Sequence, residues 1–271
     1  MKFFSKIAII VFNMCLILSV GITAALTIAS SPGYYRNQFE KNGIYSEKSN
    51  GSEKRHRIYY VGGDAKTSAT FSDEQYDLMI DHIISFLFGD TESFELVLDG
   101  VEVWGVGVCD GVSVFGEQAI SHMADVKTLI KAAKVIAIVA AALSLALLAF
   151  FIIKRRECSE FLLRYTAYFY IALGSFATGF CIWALIGALV KKTTFLYMLW
   201  GNIHYLLFPF QPEKYEESFL ADTLPQILSL ELFITALVIV FFAVAVAVAL
   251  WLIMARFIKK RVELEKTSIK S

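Results

Sequence analysis

Two of the four histidines stand where an imidazole could take part in catalysis. A histidine can take or give a proton near neutral pH, so each one is a candidate acid or base. His122 precedes a long apolar run, and Asp125 follows it by three residues, which places both side chains on one face of a helix. A carboxylate there can accept a hydrogen bond from one ring nitrogen and raise the basicity of the other. His56, in a charged loop, and His82, on the polar side of a helix, are expected on the surface.

His204 lies just after another apolar run, in a segment that is dense in aromatic residues. Trp200, Tyr205 and Phe208 surround it and are expected to line a pocket. The alternative is an aromatic belt at a membrane interface, of which the histidine is only a polar member. Two imidazoles at one membrane surface can serve acyl transfer, because one deprotonates a nucleophile while the other protonates the leaving group. No G-x-S-x-G motif is present, which favours a nucleophile that belongs to the substrate.

The composition indicates which class of protein must position these residues. The chain has 271 residues, of which 57% are hydrophobic and 18% charged. Ordinary soluble domains have roughly 45–50% hydrophobic and about 25% charged residues. The mean hydropathy is +0.59. The 25 basic residues balance the 25 acidic ones, so the chain lacks the basic excess of a nucleic-acid binder, and no nucleic-acid partner is expected. These figures predict an integral membrane protein.

Four long uncharged runs predict four transmembrane helices, over 1–30, 135–153, 165–190 and 232–258. The shortest run has about 19 residues and spans about 28 Å as a helix, close to the ~30 Å hydrocarbon core of a bilayer. A cleavable signal peptide is the alternative for the first run. Its apolar stretch is longer than the core of such peptides, which favours an uncleaved helix.

The basic residues predict the orientation of these helices. Lysine and arginine cluster before the first run, after the second and after the fourth. Because cytoplasmic segments carry the basic excess, both termini are expected in the cytoplasm, together with the loop 154–164 and the tail 259–271. The segment 31–134 and the aromatic-rich loop 191–231 then lie outside the cell. The expected location is the cell membrane, with several passes and an extracellular cap.

The segment 31–134 is predicted to form this cap as a small α+β unit, so the fold class is a predominantly α membrane protein with four helices and a cap. Ser72 and Gln75 have the spacing of a capping box, and Gly89 supplies a helix stop. The pattern predicts a loop over 33–54, a strand over 57–61, a helix over 72–87, one or two strands over 94–108, and a helix that starts near Gly116 and leads into the second span.

The uncharged runs contain no aspartate, glutamate, lysine, arginine or histidine, which disfavours ion-coupled transport. The sequence also has no P-loop, G-x-G-x-x-G, H-E-x-x-H or C-x-x-C motif, so neither a cofactor nor a metal is expected. A metal site is one further alternative, and it would use His122, Asp125, His204 and Asp222. Their spacing matches no known ligand motif.

Two short blocks resemble a known family. They are Ser121-His122-Met123-x-Asp125-Val126-Lys127 before the second span and His204-x-x-x-Phe208 after the third. Both are similar to the four-span bacterial family of the lipoprotein intramolecular transacylase. The resemblance implies an acyltransferase with two catalytic histidines, which correspond to His122 and His204 here. It also implies movement of an acyl chain from the sn-2 position of a diacylglyceryl-cysteine lipoprotein to the amino group of that cysteine, which gives a lyso-form lipoprotein.

On this reading the partners are a diacylated lipoprotein, which is the substrate, and membrane lipid. His204 is expected to act as the base toward the amine, and His122, oriented by Asp125, is expected to be its partner. The two roles could be reversed. The alternative function is a non-catalytic membrane protein whose extracellular cap binds a lipid or a protein partner.

Overall fold

The computed structural model describes residues 2–45, 59–62, 67–89, 91–191, 202, 223–228 and 230–268. Most of these residues are helical. The helices are α1 (Lys2–Ala29), α2 (Pro32–Lys41), α3 (Asp73–Phe88), α4 (Glu117–Ile153), α5 (Arg155–Lys191), α6 (Thr223–Ile227) and α7 (Leu230–Ser268). The strands are β1 (Tyr59–Tyr60), β2 (Ser68–Thr70), β3 (Val97–Leu98), β4 (Val101–Val103), β5 (Gly107–Cys109) and β6 (Val112–Ser113).

Three helical segments of the described residues are long and apolar enough to cross a membrane: Phe3–Ala29, Glu117–Ile153 and Leu232–Ser268. The first segment lies within the first predicted span, and the other two contain the second and the fourth. The third predicted span, over 165–190, falls within the continuous helix α5. As a membrane crossing, that span stays a prediction.

The chain divides into two compact units. The first, called the helical unit below, comprises Met1–Ala24, Lys134–Leu207 and Ile239–Ser271. The second, called the mixed unit, comprises Ala25–Ala133 and Phe208–Val238 and contains both sheets.

Aromatic packing forms the centre of the helical unit. The ring of Phe12 lies 5.6 Å from that of Phe151 and 4.3 Å from that of Trp251. Beside it, the amide of Asn13 donates to the hydroxyl of Thr166 over 3.4 Å, and both side chains are fully buried. These contacts join α1, α4, α5 and α7.

The mixed unit is built around two small antiparallel sheets. One has the strand order β1-β2-β4-β5, and the other pairs β3 with β6. Ala69 lies opposite Tyr59 on one side and Val103 on the other, which fixes the register of the larger sheet. The core lies between the sheets and the helices, where Phe94 stacks on Phe115 at 4.6 Å.

The two helices predicted in this segment are confirmed. The Ser72 hydroxyl accepts from the backbone N–H of Gln75, the Gln75 side chain accepts from the N–H of Ser72, and Gly89 caps the other end. The second helix begins at Glu117 and continues without a break to Ile153.

Two predictions in the same segment need correction. The predicted loop over 33–54 is wrong for its first part, where α2 forms instead. Ser31 caps this helix, and Tyr35 and Phe39, spaced one turn apart, bury its apolar side in the core. The region 94–108 contains three strands rather than one or two, because the chain turns twice at glycines of positive φ, at Gly100 and Gly105.

Candidate active site

His122 and Asp125 lie in the first turns of α4. The helix starts where the carbonyl of Gly116 accepts from the N–H of Ile120 at 3.0 Å. Glu117 stands in this first turn, where a negative charge complements the helix dipole. Both candidate residues therefore sit on a regular helix that fixes their backbone.

The buried face of α4 decides where these side chains point. Ala119 and Met123 are almost completely buried in the core of the mixed unit, and Val126 packs against it. His122 and Asp125 precede Met123 and Val126 by one residue each, so they occupy the adjoining face and are half-buried. An imidazole there keeps a partly accessible edge, while its helix is held in place by the core.

Gln118 continues this polar face by one helical turn, at a spacing of four residues from His122. Its Oε1 atom is buried and has no hydrogen-bond partner among the described residues. The face that carries the candidate histidine therefore also presents an amide. Gln118 is not among the site residues predicted from the sequence, although a spacing of four residues places it on the same helix face as His122.

Lys127 anchors the same part of α4 to its surroundings. Its Nζ donates to the carbonyl of Thr91 at 2.7 Å and lies 4.4 Å from the centre of the Phe86 ring. A cation above an aromatic face is attracted by the ring quadrupole. This contact joins α4 to α3 and to the segment that follows α3. No sequence signal reveals it, because one partner is a backbone carbonyl distant in the chain.

His82 is not the solvated surface residue that the sequence predicted. It is half-buried, and its Nε2 lies 3.1 Å from the carbonyl oxygen of Phe94. The two rings are 5.6 Å apart. His82 therefore helps to hold the segment after α3 against the helix. His56 lies outside the described residues.

The second half of the predicted site also lies outside the described residues. It comprises His204 and the expected pocket residues Trp200, Tyr205 and Phe208. The pairing of His122 with His204 therefore stays a prediction.

The metal site is only an alternative to the expectation of no metal, and it stays untested, because two of its four residues, His204 and Asp222, fall outside the described ranges. Within those ranges, no group of three histidine, cysteine, aspartate or glutamate side chains could hold a metal ion.

The comparisons with known proteins agree on one family. A sequence model of the family described as lipoprotein intramolecular transacylase Lit matches residues 7–210, about three quarters of the chain, and this range contains His122 and His204. A comparison with curated proteins gives no match.

The fold is similar to that of the membrane integral lipoprotein intramolecular transacylase Lit from Bacillus cereus, with a TM-score of 0.62 and 14% identity over 97% of this chain and 100% of that chain. Two further structures of that protein carry a single histidine replaced by arginine or by alanine. The arginine variant matches with a TM-score of 0.62 and 14% identity over 97% of this chain and 95% of that chain. The alanine variant matches with a TM-score of 0.62 and 13% identity over 96% of each chain. At such identities the likeness shows a shared fold.

Proposed function

Because the chain belongs to the lipoprotein intramolecular transacylase (Lit) family, and is therefore a membrane acyltransferase, we propose that it forms lyso-form lipoprotein. It would move an acyl chain from the sn-2 position of a diacylglyceryl-cysteine lipoprotein to the amino group of that cysteine. The family match over residues 7–210 is the observation that carries this proposal, since it includes both candidate histidines.

The proposed reaction is a direct transfer within one substrate molecule. The free amine of the cysteine attacks the carbonyl carbon of the sn-2 ester and forms a tetrahedral intermediate. The bond between that carbon and the sn-2 oxygen then breaks, and an amide remains. The amine loses one proton and the departing sn-2 oxygen gains one, so that no water and no protein nucleophile is consumed.

We assign the two proton transfers to His204 and His122. His204 accepts the proton of the amine, and His122 donates a proton to the sn-2 oxygen, which leaves the pair ready for a proton exchange that restores it. Asp125 would orient the imidazole of His122. The half-buried position of both residues on one face of α4 supports this assignment for His122 and Asp125. For His204 the support is its place within the family match.

The substrate itself supplies much of the catalytic advantage. Amine and ester belong to one molecule, so the enzyme must only hold them in contact, and such positioning can contribute about 7–11 kcal/mol at best. In the proposed site, Trp200, Tyr205 and Phe208 provide the apolar walls for the acyl chain. The substrate is accordingly a diacylated lipoprotein held at the membrane surface.

The proposed topology places this chemistry outside the cell. All four uncharged runs would cross the membrane, with both termini in the cytoplasm. The mixed unit would then form an extracellular cap. The support is the distribution of lysine and arginine along the sequence.

Mass spectrometry of the N-terminal peptide of a lipoprotein tests the reaction. Cells that express this chain should yield a peptide whose acyl group has moved to nitrogen, and cells without it should not. His122→Ala and His204→Ala should each abolish the product, because each removes one of the two proton-transfer groups.

His82→Ala is the matched control for these variants. It removes an imidazole that bonds to the carbonyl of Phe94, outside the proposed chemistry, so the product should persist. All variants should be quantified in the membrane fraction first. Full activity of either His122→Ala or His204→Ala at normal abundance would contradict the two-histidine mechanism.

A further inference from the structure

Three guanidinium groups and one carboxylate meet at the end of the helical unit where α4 passes into α5. Arg155 Nη2 lies 2.8 Å from Oε1 of Glu265, and Arg156 Nε lies 3.2 Å from Oε2. Arg261 Nε lies 3.9 Å from Oε1. These four residues, called the arginine cluster below, carry three positive charges and one negative charge, so two positive charges remain unbalanced.

Neighbouring acidic residues do not neutralise this excess. Glu157 and Glu263, which neighbour the cluster in sequence, have lysine partners of their own: Glu157 pairs with Lys154 at 3.4 Å, and Glu263 pairs with Lys259 at 3.8 Å. Each of these ion pairs has no net charge. Glu160, one turn after Arg156, interacts with Arg164. The arginine cluster therefore keeps its net positive charge.

The cluster also has hydrogen-bond donors that Glu265 does not engage. The buried Nε of Arg155 has no acceptor among the described residues, since Glu265 engages its Nη2. The side chains of Arg156 and Arg261 are 64% and 75% exposed. A guanidinium fork matches the oxygens of a phosphate group in geometry as well as in charge. An incoming phosphate could thus bind the exposed guanidinium groups of Arg156 and Arg261 without displacing Glu265.

Exposed apolar side chains adjoin the cluster. On α7, Phe257 and Leu264 flank Arg261 at spacings of four and three residues, so the three share one face, and the two apolar side chains are 67% and 61% exposed. On α4, the uncharged run ends at Ile153, two residues before Arg155, and Ile153 is 77% exposed. Positive charge next to such side chains is the arrangement that a phospholipid requires, with its head group on the arginines and its acyl chains beside the apolar helices.

We propose that the arginine cluster is a binding site for an anionic phospholipid of the bilayer, which it holds through the phosphate. The excess of two positive charges selects against zwitterionic lipids, because a choline group would bring a further positive charge to the same place. This site is separate from the proposed transacylase chemistry and does not depend on it.

Native mass spectrometry of the full-length protein in detergent tests the proposal. The protein is titrated with phosphatidylglycerol and, separately, with phosphatidylcholine of the same acyl chains. The wild type should retain phosphatidylglycerol preferentially. Arg155→Gln and Arg156→Gln should each reduce this preference about fivefold, and the double variant should reduce it further.

Glu265→Gln provides a test of opposite sign. It removes the one negative charge of the cluster, so the preference for phosphatidylglycerol should rise. A purely structural ion-pair cluster would instead give variants that all unfold more easily and leave the lipid preference unchanged, which would overturn the proposal.

Arg164→Gln is the matched control, because it removes one positive charge from α5 at a residue that pairs with Tyr168 outside the cluster. The lipid preference should be the same as in the wild type, and an equal loss in this variant would also overturn the proposal. Excess inorganic phosphate should not displace the lipid, since it lacks acyl chains. Full displacement would point to a soluble anion and refute a lipid site.

Discussion

At the scale of single residues, Tyr45 closes a charged network that ties α2 to α3. Its hydroxyl donates to Asp77 Oδ1 at 2.6 Å, and Arg36 Nε donates to the same oxygen at 3.0 Å. Arg36 also reaches Asp81, at 3.2 Å. Burial raises the pKa of Tyr45, and the hydrogen bond to Asp77 and its charge raise it further, while the charge of Arg36 lowers it by less. The network thus holds the phenol in its protonated form.

Tyr45→Phe should therefore change how stability depends on pH. The pKa of Tyr45 is higher in the folded state than the ordinary value of about 10. The protonated phenol therefore stabilises the fold fully below about pH 10, and this stabilisation declines as the pH rises above that value. The variant lacks the hydrogen bond to Asp77, so its free energy of unfolding at neutral pH should be about 1–2 kcal/mol lower than that of the wild type. Between pH 9 and pH 11 its free energy of unfolding should fall less steeply than that of the wild type, as denaturant titrations at each pH would measure.

Tyr168→Phe serves as the control for this pH dependence. Tyr168 is 52% exposed and lies on α5, which contributes no residue to the network. Because its variant leaves the Tyr45 network intact, the wild-type slope should be retained. Identical slopes for Tyr45→Phe and the wild type would show that the Tyr45 phenol does not contribute to alkaline unfolding.

At the scale of elements, α3 depends on its first turn. Gln75 closes the capping box with Ser72 and also donates from Nε2 to the carbonyl of Asp99 at 3.0 Å, so one side chain connects the helix start to the chain between β3 and β4. Ser72→Ala removes an acceptor for a helix N–H and should lower the free energy of unfolding by about 1 kcal/mol. Chemical denaturation followed by circular dichroism would measure the loss.

Ser72→Asp is the rescue variant for this prediction. Aspartate caps helices as well as serine does, so stability should remain close to that of the wild type. If Ser72→Ala and Ser72→Asp were equally destabilised, the loss would come from the shape of the serine site rather than from the cap.

The sequence predicts some elements better than others, because some depend on local residue patterns and others on contacts between residues distant in the chain. The apolar spacing and the capping box of α3 are local, so its position was predictable. The position of α2 was not predictable, because Tyr35 and Phe39 stabilise this helix through contacts with distant parts of the core. In the candidate active site, helical periodicity predicts the shared face of His122 and Asp125. The anchoring of α4 by Lys127 depends on a distant carbonyl and could not be predicted.

At the scale of the whole molecule, helices from both ends and from the middle of the chain meet at Phe12. Between helices in a lipid environment there is little hydrophobic driving force, so close packing and hydrogen bonds between helices must provide the stability. Phe12 is 3% exposed and packs against Phe151 and Trp251, whereas Phe3 on the same helix is 75% exposed. Substitutions at these two positions therefore distinguish the contribution of packing between helices from that of contact with the surroundings.

Phe12→Ala should lower the free energy of unfolding by about 3–5 kcal/mol, because removal of the ring leaves a cavity that rigid helices cannot close. Phe3→Ala removes the same atoms from an exposed position and should change it by less than about 0.5 kcal/mol. Unfolding by SDS in mixed micelles, followed by tryptophan fluorescence, measures both variants under one condition. Trp251 reports on the site directly, since its ring lies against the one that is removed. Equal losses in the two variants would mean that α1 is held by its surroundings rather than by the other helices.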